Sequence, residues 1–393
     1  MRIILITARL PHGATEAFMI PEIRQMRAAG HEVLIVPRSA SGPIIHGQEL
    51  LDYTCRASWW SARAWRKSTR VSAALRVLGE SRSGAVALKN LAMVPKALWL
   101  ADMAVRWRAD HIHAHWAGTT ATMAWLASEW SGVPWSFTAH RWDIVENNLL
   151  AQKARHASFA RFISQDGLRM ARALGVGQDA NAAVVRMGVA LPQRAAPVRD
   201  NGVVLCPARL TEVKGHWVLL EAWRELKTRD VRGELWLAGD GELRSELETR
   251  TKTFGLSDSV KFLGAVPHEK LLSMYGEGAV EAVVLTSLDL GNGNHEGVPV
   301  ALVEAMSYGI PVVATASGGT SELVTPGTGL LVTPGDAPAT AGALDRLLQD
   351  AGLRRSLGDA GRRRAMEAHD VVRVVKELVS AFEAARRQPA VAA

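Results

Sequence analysis

Between Asn292 and Gly309 the chain runs Asn-Gly-Asn-His-Glu-Gly-Val-Pro-Val-Ala-Leu-Val-Glu-Ala-Met-Ser-Tyr-Gly. Two glutamates, Glu296 and Glu304, stand in it with seven residues between them. Pro299 suits the first turn of a helix and Gly309 its end. Glu296 then lies in the loop before the helix and Glu304 more than a turn inside it. A helix start offers unpaired backbone amides, here at Gly297, Val298 and Val300, which together make a site for an anion. Glu304 is out of keeping with its Val, Ala, Leu and Met neighbours, and a carboxylate on a buried helix needs donors. Ribose hydroxyls would supply them, and so would a structural arginine.

A second group is Pro207-Ala208-Arg209-Leu210-Thr211-Glu212-Val213-Lys214-Gly215-His216. Arg209 is expected to close a strand and Lys214 to open the following helix, where an ammonium opposes the helix dipole. An anion held between Arg209 and Lys214, a diphosphate above all, would offset that. The alternative is a solvated lysine and an arginine paired with an acid. Leu237-Ala238-Gly239-Asp240-Gly241-Glu242 reads as a strand and a tight turn, and without a full Gly-x-Gly-x-x-Gly it argues against a nicotinamide dinucleotide. Ser317-Gly318-Gly319-Thr320 follows another strand and would let a ligand come close to the backbone.

Short β-rich runs alternate with helical periods along most of the chain. Strands are predicted at Arg2–Thr7, Glu32–Pro37, His111–Trp116, Trp135–His140, Arg161–Gln165 and Ala183–Met187. A second series follows at Val203–Arg209, Glu234–Asp240, Val260–Gly264, Ala282–Ser287, Pro311–Ala316 and Gly329–Val332. Such alternation implies parallel sheets covered on both faces. The proline-containing stretch 190–202 reads as a linker. The expected architecture is therefore α/β, with two doubly wound parallel-sheet domains facing each other across a cleft. They would comprise residues 1–197 and 198–393, with a last helix that could pack back on the N-terminal domain. In open parallel sheets ligands bind beyond the carboxyl ends of the strands.

The 393 residues suit two domains, and neither a membrane span nor a signal-peptide core is visible. Cys55 and Cys206 are too far apart for a metal-ligand spacing and suggest no disulfide framework, so the cytoplasm is the expected compartment. The net charge of +7 is concentrated between Arg56 and Arg108, where eleven Lys or Arg face two acids, Glu80 and Asp102. Trp59, Trp60, Trp65, Trp99 and Trp107 fall in the same stretch. That mixture suits a peripheral site on an anionic membrane surface, or a solvated basic face with its tryptophans turned into the core.

Taken together, the segments between residues 203 and 335 resemble the C-terminal half of the family 4 glycosyltransferases, a retaining family with the GT-B architecture. The matching pieces are Ala208-Arg209-Leu210 with Lys214-Gly215, Ala238-Gly239-Asp240-Gly241, Phe262-Leu263-Gly264, Glu296-Gly297-Val298-Pro299, Glu304-Ala305-Met306 with Gly309-Ile310-Pro311, and Gly318-Gly319 with Glu322-Leu323. The N-terminal pattern Pro11…Glu16-Ala17-Phe18…Pro21-Glu22 is similar to polysaccharide-assembly members of that family. Gly13 stands where many members carry paired glycines near the donor phosphates, and Phe137-Thr138-Ala139-His140 is similar to the segment that brings a histidine to the transferred sugar.

The resemblance implies a hexosyltransferase that takes a sugar from a nucleotide-diphosphate donor to a glycan or lipid-linked acceptor, as in exopolysaccharide biosynthesis. The N-terminal domain would bind the acceptor and the C-terminal domain the nucleotide sugar. Arg209 and Lys214 would stabilise the leaving diphosphate, Glu304 would hold the ribose, and Glu296 with His140 would grip the sugar. Gly13, Gly239, Gly297, Val298, Pro299 and Val300 would line the donor site. No Asp-x-Asp occurs, so no metal and no other cofactor is expected. A sugar-nucleotide epimerase of the same fold is one alternative, and a non-catalytic membrane or nucleic-acid binder is another. The position of the anion-site residues outside the basic segment argues against nucleic acid. His113 and His115 read as architecture, with acceptor contact open.

Overall fold

The computed structural model describes residues 1–13, 16–57, 75, 77, 79–81, 83–197, 200–229 and 231–387. It divides into two compact units, Met1–Gly188 with Val371–Ala393, and Val189–Asp370.

The first unit holds a six-stranded sheet of β1 (Arg2–Thr7), β2 (Glu32–Pro37), β3 (His111–His115), β4 (Trp135–Ala139), β5 (Phe159–Phe162) and β6 (Ala182–Val184), ordered β2-β1-β3-β4-β5-β6. All its pairings are parallel. Alternation along β1 sends Ile4 and Ile6 to one face, in a core with Leu100 and Trp125. Ile3 and Leu5 go to the other, against Ile23, Leu378 and Phe382. Those last residues belong to the helices Ile20–Ala28 and Val371–Arg387, so the C-terminal helix belongs to the first unit and not to the second.

Strand β5 begins and ends earlier than its apolar pattern suggested. Ser164 accepts a hydrogen bond from the Gly167 amide at 2.9 Å and starts the helix Gln165–Ala173. Arg161 sits inside the strand, fully buried, with its guanidinium on both carboxylate oxygens of Glu22 at 2.7 and 2.8 Å.

The second unit carries β7 (Val203–Cys206), β8 (Glu234–Ala238), β9 (Val260–Gly264), β10 (Ala282–Leu285), β11 (Val312–Thr315) and β12 (Leu330–Val332), ordered β12-β11-β10-β7-β8-β9 and again all parallel. The unit starts at Val189, before the expected boundary of 197/198. The Val189 amide donates to His369 O at 2.8 Å, the Ala196 amide to Tyr308 O at 2.7 Å, and Arg362 to Pro192 O at 3.0 Å. The stretch expected to be a linker is thereby tied to its own unit. In each sheet the order reverses once, between β1 and β3 and between β7 and β10, and ligands of open sheets bind at such switch points.

Among the described residues no helix is long and apolar enough to cross a membrane. Part of the basic, tryptophan-bearing segment, including Trp59, Trp60, Trp65, Arg63, Arg66, Lys67 and Arg70, lies outside the described residues. In the part that is described, Trp99 is buried in the core. Lys89 pairs with Glu146 at 2.9 Å and Arg106 with Asp102 at 3.3 Å, while Lys96 donates to the Arg38 carbonyl.

Candidate active site

In the second unit the loops that leave β7 and β10 are laced together at the switch point. Gly215 has φ of 60°, and a Cβ there would come within 2.1 Å of Thr286 O, so only glycine fits. The Leu288 amide donates to Val213 O at 2.8 Å, and Thr286 Oγ1 to Gly215 O at 2.9 Å. This lacing delivers the Lys214 ammonium onto Glu296 Oε2. Lys214 does not open the helix. It ends a short 3₁₀ turn, Glu212–Lys214, and Gly215 caps the helix His216–Thr228. Its charge is met by Glu296 and not left against a dipole.

Glu296 also accepts from Ser287 Oγ at 2.9 Å, and its backbone amide donates to Ser317 Oγ at 3.1 Å. Burial pushes its carboxyl up, but the Lys214 charge and the hydrogen bonds outweigh that and hold it below the ordinary glutamate value. The Gly297 amide donates to the Glu296 carboxylate at 3.2 Å, so that amide is already engaged, unlike the free group the sequence suggested. Pro299 is the N-cap of the helix Val300–Ser307 and makes no side-chain cap. The backbone amides of Val298 and Val300 make no backbone hydrogen bond among the described residues. Gly318, at φ of 51°, lets its backbone lie against the Glu296 carbonyl, where a Cβ would approach to 2.0 Å. The close approach that the Gly318-Gly319 pair permits is therefore to the Glu296 loop.

Glu304 is buried on the Val300–Ser307 helix, and its donor is His268 Nε2, at 2.7 Å from Oε1, rather than an arginine. Tyr275 lies near it, with a buried hydroxyl that has no partner among the described residues. Burial first, and then the Glu304 charge, pushes that phenol well above its usual value. Arg209 is exposed just beyond β7. Gly239 is pressed against the preceding loop, where a Cβ would meet Ala208 O at 1.9 Å, and the Leu210 amide donates to Asp240 O at 3.1 Å. Gly239 thus positions the Arg209 loop.

The first unit contains His140 and Gly13. His140 caps the helix Arg141–Glu146 and is buried, with Nε2 at 2.7 Å from His115 Nε2. One of these two rings must donate to the other. Burial, and then other nearby positive groups, lowers both, His140 to about 3, so both are neutral near pH 7. His113 is bound to Ser136 and Thr138 at 2.7 and 2.9 Å, which makes it architecture, while His115 belongs with His140.

Sequence reasoning gave no role to Glu16, although it stands in the quoted N-terminal pattern. Its carboxylate accepts from the amides of Ala8, Arg9 and Leu10 at 3.0, 2.6 and 2.8 Å, and from Trp116 Nε1 at 2.6 Å. The strand-end amides after β1 are thus filled from within the chain. Gly13 lies beyond them, its amide on Pro43 O at 2.7 Å. His268, Ser287 and Ser317 were also missed. His268 and Ser317 reach their glutamates from beyond other strands, β9 and β11, while Ser287 stands at the start of the loop that carries Glu296 itself.

Two parallel sheets, each reversing its strand order once, define a doubly wound α/β protein. Comparison with known proteins makes this specific. A model described as Glycosyl transferases group 1 matches residues 191–364, and one described as Glycosyl transferase 4-like domain matches 22–202. The chain belongs to the family 4 glycosyltransferases of GT-B fold. It is 40% identical over 147 residues to the amylovoran biosynthesis glycosyltransferase AmsK of Erwinia amylovora, covering 37% of this chain and 36% of that one. It is 38% identical over 164 residues to the putative colanic acid biosynthesis glycosyltransferase WcaL of Escherichia coli, covering 40% of each. The matches thus span about two fifths of these curated relatives. In fold the chain is similar to Anabaena HepE, solved in complex with UDP, with a TM-score of 0.74 and 19% identity over 98% of this chain and 100% of that one.

Proposed function

We propose that the protein is a retaining glycosyltransferase that moves a sugar from a nucleotide-diphosphate donor to a glycan or lipid-linked acceptor in surface-polysaccharide assembly. The observation that carries this reading is the Lys214–Glu296 pair at the β7/β10 switch point, partly exposed and therefore exchangeable. A donor diphosphate competes with Glu296 for Lys214 and is met by Arg209 as well, so the leaving group gains charge stabilisation as the glycosidic bond breaks. Glu296, released in part, turns to the sugar hydroxyls. Glu304, kept in place by His268, accepts from the ribose. His140, neutral and paired with His115, offers a hydrogen bond to the transferred sugar without adding charge.

On this reading the two cations do what a divalent ion does elsewhere, and turnover is expected to survive a chelator. The named relatives in amylovoran and colanic acid biosynthesis support a polysaccharide acceptor. The first unit binds that acceptor, and the basic segment around Arg63–Arg70 rests on an anionic membrane surface.

A thermal-shift screen across sugar nucleotides tests the donor site. A ligand at a hundred times its dissociation constant adds about 2.7 kcal/mol. No shift with any nucleotide sugar, nor with UDP or GDP, would refute the reading. The anomeric configuration of the product, read by NMR, tests retention.

A further inference from the structure

The first unit has a cavity of about 410 Å³ at its own switch point, between the ends of β1 and β3. That is within the ~300–1,000 Å³ of small-molecule sites. Its lining includes Arg38, Trp116, Thr119, Trp142, Asp143 and Glu146, none of which the proposed donor chemistry uses.

The walls are rigid. Trp116 has φ of 85°, a costly conformation for a bulky residue, and it is held by its indole bond to Glu16. The next residues are pinned as well, since Asp143 accepts the Ala117 amide and Lys153 donates to Ala117 O and Gly118 O at 2.8 and 2.7 Å. Trp142 is 58% exposed, with the Arg141 guanidinium 3.9 Å from its ring centroid on one face. An exposed indole braced from one side is an aromatic platform.

The polar groups are of two complementary kinds. Arg38 gives one guanidinium nitrogen to Thr119 Oγ1 at 2.7 Å, and its Nε is buried with no partner among the described residues. Glu146 spends Oε1 on Lys89 at 2.9 Å, and Oε2 accepts no hydrogen bond among the described residues. An arginine donates only and a carboxylate accepts only. A hydroxyl does both, so a ring bearing several hydroxyls satisfies the two together. A pyranose also has an apolar C–H face that matches an indole. A phosphate would suit Arg38 but be repelled by Glu146 and Asp143, and an acyl chain would leave all of these groups unsatisfied.

We infer that this cavity is a saccharide subsite, in which a pyranose stacks on Trp142 and places its hydroxyls on Arg38 and Glu146. It rests on the glycosyltransferase reading only in making that ring part of the acceptor.

Ligand-observed saturation-transfer NMR on the full chain tests it, with methyl glycosides of the common hexoses as one set of probes and UDP and GDP as the other. At least one methyl glycoside receives saturation from the wild type. Trp142→Ala weakens it about two- to tenfold, Trp142→Phe retains most of it, and Glu146→Gln weakens it about fivefold. Nucleotide saturation is the same in all of these proteins. The subsite is overturned if nucleotide binds but no glycoside does, if Trp142→Ala leaves glycoside saturation unchanged, or if inorganic phosphate displaces the glycoside and does so better in Glu146→Gln. Absence of nucleotide saturation overturns the glycosyltransferase reading instead.

Discussion

The two switch points hold a carboxylate in opposite ways. Beyond β1, Glu16 is 2% exposed and is surrounded by three backbone amides and an indole. Beyond β10, Glu296 is met by a lysine side chain from the loop after β7 that keeps 22% of its surface exposed. Backbone amides cannot move away, so Glu16 is fixed and its charge is spent on holding the loop. A lysine side chain can swing to another anion at modest cost, because a partly solvated pair is worth little net. The first unit therefore presents shaped walls with neutral histidines, and the second presents charge that can be exchanged. That is the division a transferase needs between an acceptor made of hydroxyls and a donor made of phosphates.

Acid is the strongest way to separate the units. His111, His113, His115 and His140 are all buried in the first unit and held well below the ordinary value, His111 and His140 at about 3. In the second unit His216 is so placed, at about 4. The unfolded chain takes up these protons near pH 6.5 and the folded chain does not, so stability falls as pH drops from about 6.5 toward 3. His111 and His140 each contribute roughly 1.4 kcal/mol per pH unit in that window, and His216 does so down to about 4. Hydrogen exchange resolved by peptide should show the first unit opening at a higher pH than the second. If the second opens first, the contrast between them fails.

Lys214→Ala should cost about 10²–10³ in turnover with a bound nucleotide sugar. Folding should change far less, because Glu296 retains Ser287 and the Gly297 amide. Steady-state kinetics beside a melting curve separates the two effects. Normal turnover at an unchanged melting temperature would remove Lys214 from the diphosphate site.

The two glutamates sharpen the comparison inside the second unit. Glu304→Gln should weaken UDP or GDP binding by about 1.5–3 kcal/mol, the worth of hydrogen bonds to a charged group. Glu296→Gln should leave free-nucleotide affinity within about threefold and lower turnover. Titration calorimetry with the free nucleotide reads the difference. Equal losses in both variants would show that the glutamates share one task.

Much of this was legible in advance because it follows from local periodicity and turn chemistry. β1, β2 and β9 lie at their predicted bounds, and ten of the sheet pairings follow from the parallel α/β alternation. Arg209, Lys214, Glu296 and Glu304 were singled out from residue type and spacing. What spacing could not reveal was pairing. Lys214 meets Glu296 across 82 residues, His268 meets Glu304 across 36, and Arg161 meets Glu22 across 139. Partners of this kind are set by which strand ends the sheet order brings together. The misplaced β5 has the same origin, since a buried arginine inside a strand looks like a strand end until its distant carboxylate is known.

The smallest effects expected per residue concern the basic segment of the first unit. Lys89 and Arg106 already have carboxylate partners, and the cluster Arg63, Arg66, Lys67 and Arg70 is the set of cations to test. Each basic residue near an anionic surface is worth about 1 kcal/mol, so four suffice for reversible attachment. The protein should sediment with anionic liposomes at low salt and be released at high salt, because the attraction is screened within a Debye length. Changing all four to Gln should abolish sedimentation and leave nucleotide binding intact, since Arg209 and Lys214 belong to the other unit. Charge alone does not distinguish lipid from nucleic acid, so indole fluorescence is the better reporter. Tryptophans entering a headgroup layer shift to the blue, and buried ones do not. A wild type that ignores anionic liposomes at low salt removes the membrane proposal. The family assignment is untouched by that result, because it rests on residues 22–364 as a whole.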